Sequence, residues 1–468
     1  MPLILGTNSI KDTGYDVDNS LRFNDGSSDS LQRTPSGVGN GNTWTFSVWV
    51  KKSNLSITQF LIGSSTSASD FEDIRFNANT GDLSYNRYLT NKQWGFDSSA
   101  YLRDVSGWYH VVVNRNGTTM NYYLNGVLQT KTNEVTSTST GDFNTTDELR
   151  IGGRPDTTSN TFDGYMSHVS WVDGQALAPT VFGETDSTSG IWKFKQPSGV
   201  TWGTNGFHLK FENSGALGTD SSGNTNTFTV NGNGRQALDT PSNVYATLNP
   251  LHFGTGSTSN TTLTNGNNTF TSTQGGSPYP YYFSTLGNTK GKYYAEFKYS
   301  AGVSGDAATV GIGSVPDSYS GNNSLSWSYY ANGNVYNGGS SSSYGNAWNV
   351  GSILGVAMDL DNSKLYFSIN GTWQNSGVPT SGSTGTGAVS IHNISTSPNS
   401  SSRGQGTYFF AAGNWHSGAS STWEANFGNG YFGTTAVSSA GTNASGIGIF
   451  EYNVPAGFTA ISTKGLNE

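Results

Sequence analysis

Between Gly351 and Trp373 the chain reads GSILGVAMDLDNSKLYFSINGTW, two runs of apolar alternation on either side of a short polar stretch. Alternation of period two is the signature of a strand with one buried face, and two such runs this close together make a β-hairpin. Leu354, Val356, Met358 and Leu360 share the face that can meet a core, while Ile353, Gly355, Ala357 and Asp359 share the other. Asp361-Asn362-Ser363-Lys364 supplies turn chemistry, because short polar side chains bond their own backbone and tolerate unusual φ. Leu365, Phe367 and Ile369 then alternate with Tyr366 and Ser368 up to Asn370-Gly371, a strong turn dipeptide.

The rest of the chain is written in the same material. Glycine supplies 62 of 468 residues, about twice the usual ~7% share, which alone would suggest low complexity. Aromatic residues make up 13% and are spread throughout in alternating runs, whereas disordered chains are poor in them. Many aromatics, many turn formers and only 12% charged residues suit short strands joined by polar loops. No helical period is sustained. The length exceeds one ordinary sandwich, and each half can bury a core of its own.

Charge and composition also exclude classes of function. The net charge is −8 and the 23 Lys and Arg are dispersed, so no basic stripe is offered to a nucleic acid. There is no cysteine, hence no disulfide and no thiolate metal site. No apolar run reaches the ~20 residues of a membrane span. The opening MPLILGTNSIKDTG lacks a basic n-region, and we expect synthesis in the cytoplasm without a signal peptide.

Two family resemblances follow from the order of motifs. Gly291-Lys292-Tyr293-Tyr294-Ala295-Glu296-Phe297, Val310-Gly311-Ile312-Gly313, the hairpin, Tyr408-Phe409-Phe410-Ala411-Ala412, Glu424-Ala425-Asn426-Phe427-Gly428 and Pro455-Ala456-Gly457-Phe458 together resemble a SPRY domain. That resemblance implies a bent antiparallel sandwich that binds partners through its loops and has no catalysis. Earlier, Trp108-Tyr109-His110-Val111, Tyr122-Tyr123-Leu124-Asn125-Gly126, Ile151-Gly152-Gly153 and Phe162-Asp163-Gly164 resemble a laminin-G-like, concanavalin-type domain. The connecting phrase Asp239-Thr240-Pro241-Ser242-Asn243, leading to Leu248-Asn249-Pro250, resembles the junction found in tailed-bacteriophage virion proteins that join these two domain types.

The chemistry of catalysis finds little support. No Glu-x-Asp-x-x-Glu array sets paired carboxylates on one sheet face. The densest acidic run, Asp70-Phe71-Glu72-Asp73, reads as a solvated loop or a calcium-tolerant surface. His110, His168, His208, His252, His392 and His416 show no metal spacing, and His110 and His168 read as structural histidines within strands. Asp359-Leu360-Asp361-Asn362 reads as a hairpin turn, since it lacks the glycine and terminal glutamate of a calcium loop. No cofactor is expected; the laminin-G-like resemblance leaves room for a rim Ca²⁺, for which the sequence assigns no ligands. Sugar is the ligand class that remains, and Trp327, Tyr329, Tyr330, Tyr336, Tyr344, Trp348 and Trp373 are the candidate aromatic platforms, with core packing as the competing use of these rings.

The expectation is therefore an all-β chain of two tandem antiparallel sandwiches of the jelly-roll or concanavalin type: an extended N-terminal arm over 1–18, a laminin-G-like domain over 19–236 and a SPRY-like domain over 237–468. Pro2, Leu3, Ile4 and Leu5, apolar without an evident local partner, form a candidate anchoring arm. The resemblance implies a non-enzymatic virion protein on the particle exterior, as head decoration, head fibre or tail-fibre component. Its partners would be capsid or tail proteins, further copies of itself and a host-surface glycan, with no nucleic acid and no membrane insertion. The rivals are a bacterial surface lectin or adhesin, against which the opening sequence offers no export signal, and a polysaccharide-degrading enzyme, which needs the missing carboxylate pair.

Overall fold

The computed structural model describes residues 16–253, 261–272, 281–302, 308–314, 324–394, 406–414 and 420–467; the arm residues Pro2, Leu3, Ile4 and Leu5 and His416 lie outside them. The protein is all-β, and among the described residues its helical turns are all of the short 3-10 type. The contacts divide it into two compact units that meet in sequence between Val244 and Tyr245.

In the first unit two eight-stranded sheets face each other. One is centred on the long strand Thr43–Lys52, which pairs antiparallel with Tyr109–Asn116 on one side and Gly164–Asp173 on the other. The other runs in the order Lys131–Val135, Asn91–Ser98, Leu83–Leu89, Asp70–Phe76, Gln59–Ser67, Leu149–Ile151, Ser30–Arg33, Thr229–Asn231. Alternate residues of each strand point inward, so Trp44, Phe46, Val48 and Val50 meet Ile62, Ile74, Tyr85 and Phe96 in one core. Trp44 stacks on Trp171 at 4.8 Å and meets Tyr85 edge-on at 5.4 Å. The first sheet is also covered on its outer face. There Val17, Trp49 and Phe194 form a second, smaller cluster with Trp108 and Trp192 packed against it, which is why Thr43–Lys52 is buried at nearly every residue. Val17 also donates its N–H to Ser242 Oγ at 2.9 Å, so the chain is already docked on this sandwich by that point.

The second unit repeats the principle with a seven-stranded and a nine-stranded sheet. The hairpin expected from the sequence lies in the larger one, with Ile353–Asp359 paired to Lys364–Ile369 in the register Val356↔Phe367 and Met358↔Leu365. Leu354, Val356, Met358 and Leu360 are buried in the core, opposite Val310, Tyr329 and Phe410 of the smaller sheet. Asn370 and Gly371 close the far end with φ of 47° and 79°, and Asn370 Oδ1 accepts the Ile353 N–H at 2.9 Å. The first unit uses the same device at Asn125-Gly126, φ 48° and 79°, where Asn125 Oδ1 accepts the His110 N–H at 2.8 Å. Both φ values positive is what a two-residue turn needs to match strand twist.

Phe367 is fully buried, stacked on Tyr329 at 5.2 Å and edge-on to Tyr344 at 5.7 Å. Phe367→Ala is expected to destabilise the second unit by about 3–5 kcal/mol, the usual cost of emptying a buried aromatic site. Urea unfolding followed by tyrosine and tryptophan fluorescence measures it, and a loss under about 1 kcal/mol would contradict the packing described.

Candidate functional site at one end of the first sandwich

Where the core strand Gly164–Asp173 ends, its last side chain gathers three loops. Asp173 is buried; its Oδ1 accepts the Asn40 N–H at 2.7 Å and Asn144 Nδ2 at 3.1 Å, and its Oδ2 accepts the Asn205 N–H at 3.0 Å. Two residues back on the same face, Trp171 Nε1 donates to Asn144 Oδ1 at 2.8 Å, and Asn144 holds a left-handed φ of 64° that asparagine tolerates. The loops come so close that two positions must lack a side chain. A Cβ on Gly39 would fall 2.2 Å from Asp173 Oδ2, and one on Gly203, whose φ is 74°, 2.2 Å from the Asp173 carbonyl oxygen.

Behind these loops Arg115 acts as a fixed peg. Fully buried and 4.8 Å over the Trp94 ring, it donates to the carbonyls of Gly117 at 3.0 Å, Gly41 at 3.4 Å, Ser137 at 2.9 Å and Ser139 at 2.6 Å. The result is a shallow, open depression of about 530 Å³ lined by Val38, Gly39, Asn40, Gly41, Thr140, Asp173, Gly203 and Thr204. Apart from Asp173 its wall carries no charged side chain: amide, hydroxyl and main-chain groups, plus Val38 left 73% exposed. The one carboxylate in it has both oxygens engaged.

The acidic run departs from its expected place. Asp70-Phe71-Glu72-Asp73 is not a solvated loop but the first half of the strand Asp70–Phe76, with Glu72 and Asp73 fully buried. Partners, most of them distant in sequence, make this tolerable. Glu72 accepts Tyr85 Oη at 2.5 Å and the Phe143 N–H at 2.8 Å; Asp73 Oδ2 accepts Arg154 Nη1 at 3.0 Å and Arg75 Nη1 at 3.2 Å. Burial still pushes both carboxyl pKa values up. Both groups hold the fold together, and among the described residues no three Asp, Glu, His or Cys side chains are grouped to hold a metal ion.

His110 is a satisfied core residue. Its Nδ1 accepts Trp192 Nε1 at 3.0 Å, which leaves the proton on Nε2 to be donated to Ser47 Oγ at 2.9 Å. His168 and His208, far apart in sequence, bond through Nδ1 and Nε2 at 2.9 Å under Phe194 and Trp202, a pairing no spacing rule reveals. Asp359, at the expected hairpin turn, is buried and meets Lys292 Nζ at 3.1 Å and the Asn362 N–H at 3.0 Å.

The candidate aromatics of the second unit divide unevenly. Trp327, Tyr329, Tyr344 and Trp348 belong to its core, and Tyr330 is buried against Tyr336 with centroids 4.0 Å apart. Tyr336 and Trp373 alone of the seven keep partly open rings. Packing therefore claims most of this set. The residues that shape the first-unit depression, Asp173, Asn144, Gly39 and Gly203, lie too far apart in sequence to form a motif, and their only local signal is the small-residue loop composition.

Comparison with known proteins agrees with this architecture. Residues 25–181 match the concanavalin A-like lectin/glucanases superfamily and residues 292–400 match the SPRY domain. The chain thus joins a concanavalin-like domain to a SPRY domain. No curated protein matches it. Among solved structures it is similar to the SPRY domain of human HERC1, with 16% identity over 38% of this chain and 96% of that one, TM-score 0.29. It is similar to a heptameric SAP-like pentraxin of Limulus polyphemus, with 15% identity over 49% and 99%, TM-score 0.32. It is also similar to a Bacteroides ovatus protein described as a candidate carbohydrate binder, with 14% identity over 47% of this chain and 58% of that one, TM-score 0.33.

Two outcomes test the site. Asp173→Ala strips two main-chain amides and one side-chain amide of a charged acceptor and is expected to cost about 3 kcal/mol, with hydrogen exchange at Asn40 and Asn205 speeding up before global unfolding; unchanged exchange there would contradict the anchoring. For His110, burial pulls the pKa down from 6.5 to about 3. In that window the unfolded chain binds a proton that the native state refuses, so native stability is lost as pH falls from 6.5 toward 3. The stability difference between wild type and His110→Gln should therefore shrink over this range in urea titrations at successive pH values, and a difference that stays flat would contradict the assignment.

Proposed function

We propose that this chain is a binding protein without catalysis of its own, carried on the exterior of a tailed-bacteriophage particle as a head decoration, head fibre or tail-fibre component, where it meets glycan or protein on the host surface. The observation that carries the binding reading is the polar loop-end depression of the first sandwich, whose single carboxylate is engaged by the loops around it. Hydroxyl, amide and main-chain groups around a shallow opening suit a neutral, hydroxyl-rich ligand, and the engaged Asp173 leaves it no free acid and base with which to cut a glycosidic bond. The union of a concanavalin-like and a SPRY domain supports the same reading. The virion setting rests on the junction phrase from Asp239 to Pro250 and on the apolar arm Pro2, Leu3, Ile4 and Leu5, through which capsid or tail proteins, or further copies, would hold the protein by strand addition. No membrane insertion is needed.

Thr140→Trp and Thr204→Trp fill the depression from two exposed positions without touching the Asp173 anchor. Each variant is expected to keep the wild-type melting temperature and to lose at least about tenfold in affinity, some 1.4 kcal/mol, for cells that the wild type binds. Full binding by both folded variants would remove the depression as the contact site. Detection of the protein in the envelope of uninfected bacteria, and its absence from purified particles, would favour the adhesin over the virion protein.

A further inference from the structure

Arg87 is buried, and one of its nitrogens sits in a shell made only of oxygen. Nη1 lies 2.5 Å from Asp70 Oδ1, 2.9 Å from Asp142 Oδ2, 2.7 Å from the Tyr88 carbonyl and 3.1 Å from the Phe71 carbonyl. That nitrogen carries two hydrogens, so four acceptors around it are more than it can satisfy with good geometry. Two carboxylates and two main-chain carbonyls converging on one point are instead the donor set of a hard divalent cation. The shell is assembled from elements brought together by the fold. Asp70 and Arg87 come from paired strands, and Asp142 from a loop fixed by the adjoining Phe143 N–H to Glu72. Burial first, and then Glu72, Asp70 and Asp147, push the Asp142 pKa up to about 7 against the pull of Arg87.

We propose that Arg87 is a built-in cation occupying a rim position of divalent-metal type, so that this sandwich closes its rim without calcium, and that removing the guanidinium turns the vacated oxygen shell into a Ca²⁺ site. The oxygen shell itself has no room for a calcium ion while Arg87 stands in it. The inference is independent of what the depression binds.

The test compares wild type, Arg87→Ala and Arg87→Lys in EDTA and in millimolar CaCl₂, with Tb³⁺ as a luminescent probe excited through Trp94, whose ring lies 6.0 Å from the Arg87 guanidinium. The wild type is expected to melt at one temperature in both media and to give no saturable Tb³⁺ signal. Arg87→Ala should melt lower in EDTA, recover in CaCl₂ and show saturable Tb³⁺ luminescence that excess Ca²⁺ displaces; Asp142→Asn added to it should abolish the recovery. Arg87→Lys, whose ammonium refills the shell, should stay blind to calcium. A saturable calcium-dependent rise in the wild-type melting temperature would overturn the proposal. So would an Arg87→Ala protein that is folded by circular dichroism yet blind to both ions, or one that fails to fold with calcium as well as without it.

Discussion

Buried carboxylates that accept main-chain N–H groups hold the loops of both sandwiches. Asp173 binds the amides of Asn40 and Asn205, Glu72 that of Phe143, and in the second unit Glu296 those of Glu451 and Tyr452 at 2.8 Å each. Ladder pairing within a sheet satisfies strands but not the connections at its ends, whose polar backbone must find other partners. A charged acceptor makes a hydrogen bond roughly twice as strong as a neutral one, and several converging donors offset the cost of taking the charge out of water. In a chain with 12% charged residues, few are spare, and many of those present are structural.

The arginines follow the same logic from the donor side. Arg115 collects four carbonyls of loops that would otherwise be free, Arg154 joins Asp73 to Asp156 while lying 3.7 Å over the Phe71 ring, and Arg87 fills an oxygen shell. A planar guanidinium with five donors suits such positions, because it spreads its charge over several acceptors and stacks on aromatic faces. Rigid loop ends follow from this wiring. A site displayed on them is already in shape before any ligand arrives, which lowers the ordering cost of binding.

The aromatic residues are distributed by the same economy of burial. In the second unit Trp348, Trp423, Tyr299, Tyr329 and Phe367 interlock through edge-on, tilted and stacked contacts, with centroids 5.0–6.4 Å apart. Large rings let short strands rich in Ser, Gly and Thr still enclose a dry core. The rings are therefore committed to stability, and at the loop end of the first sandwich it is polar groups and the exposed Val38 that lie at the surface.

By itself the sequence determined the all-β class, the hairpin from Ile353 to Ile369 with its inward Val356 and Phe367, the Asn-Gly turns at 125 and 370, and the order of two sandwich-forming sets of strands. These are legible because period-two alternation and positive-φ turn residues act between neighbours in the chain. Only the tertiary structure decided the rest. It placed Glu72 and Asp73 inside although their own stretch reads as polar surface, because arginines at 75 and 154 and the hydroxyl of Tyr85 reach them. It turned Tyr329 and Trp348 into core rings and joined Gly39, Asn144, Asp173 and Gly203 into one loop end. A side chain's burial depends on partners that the fold brings from afar, and no local pattern carries that information.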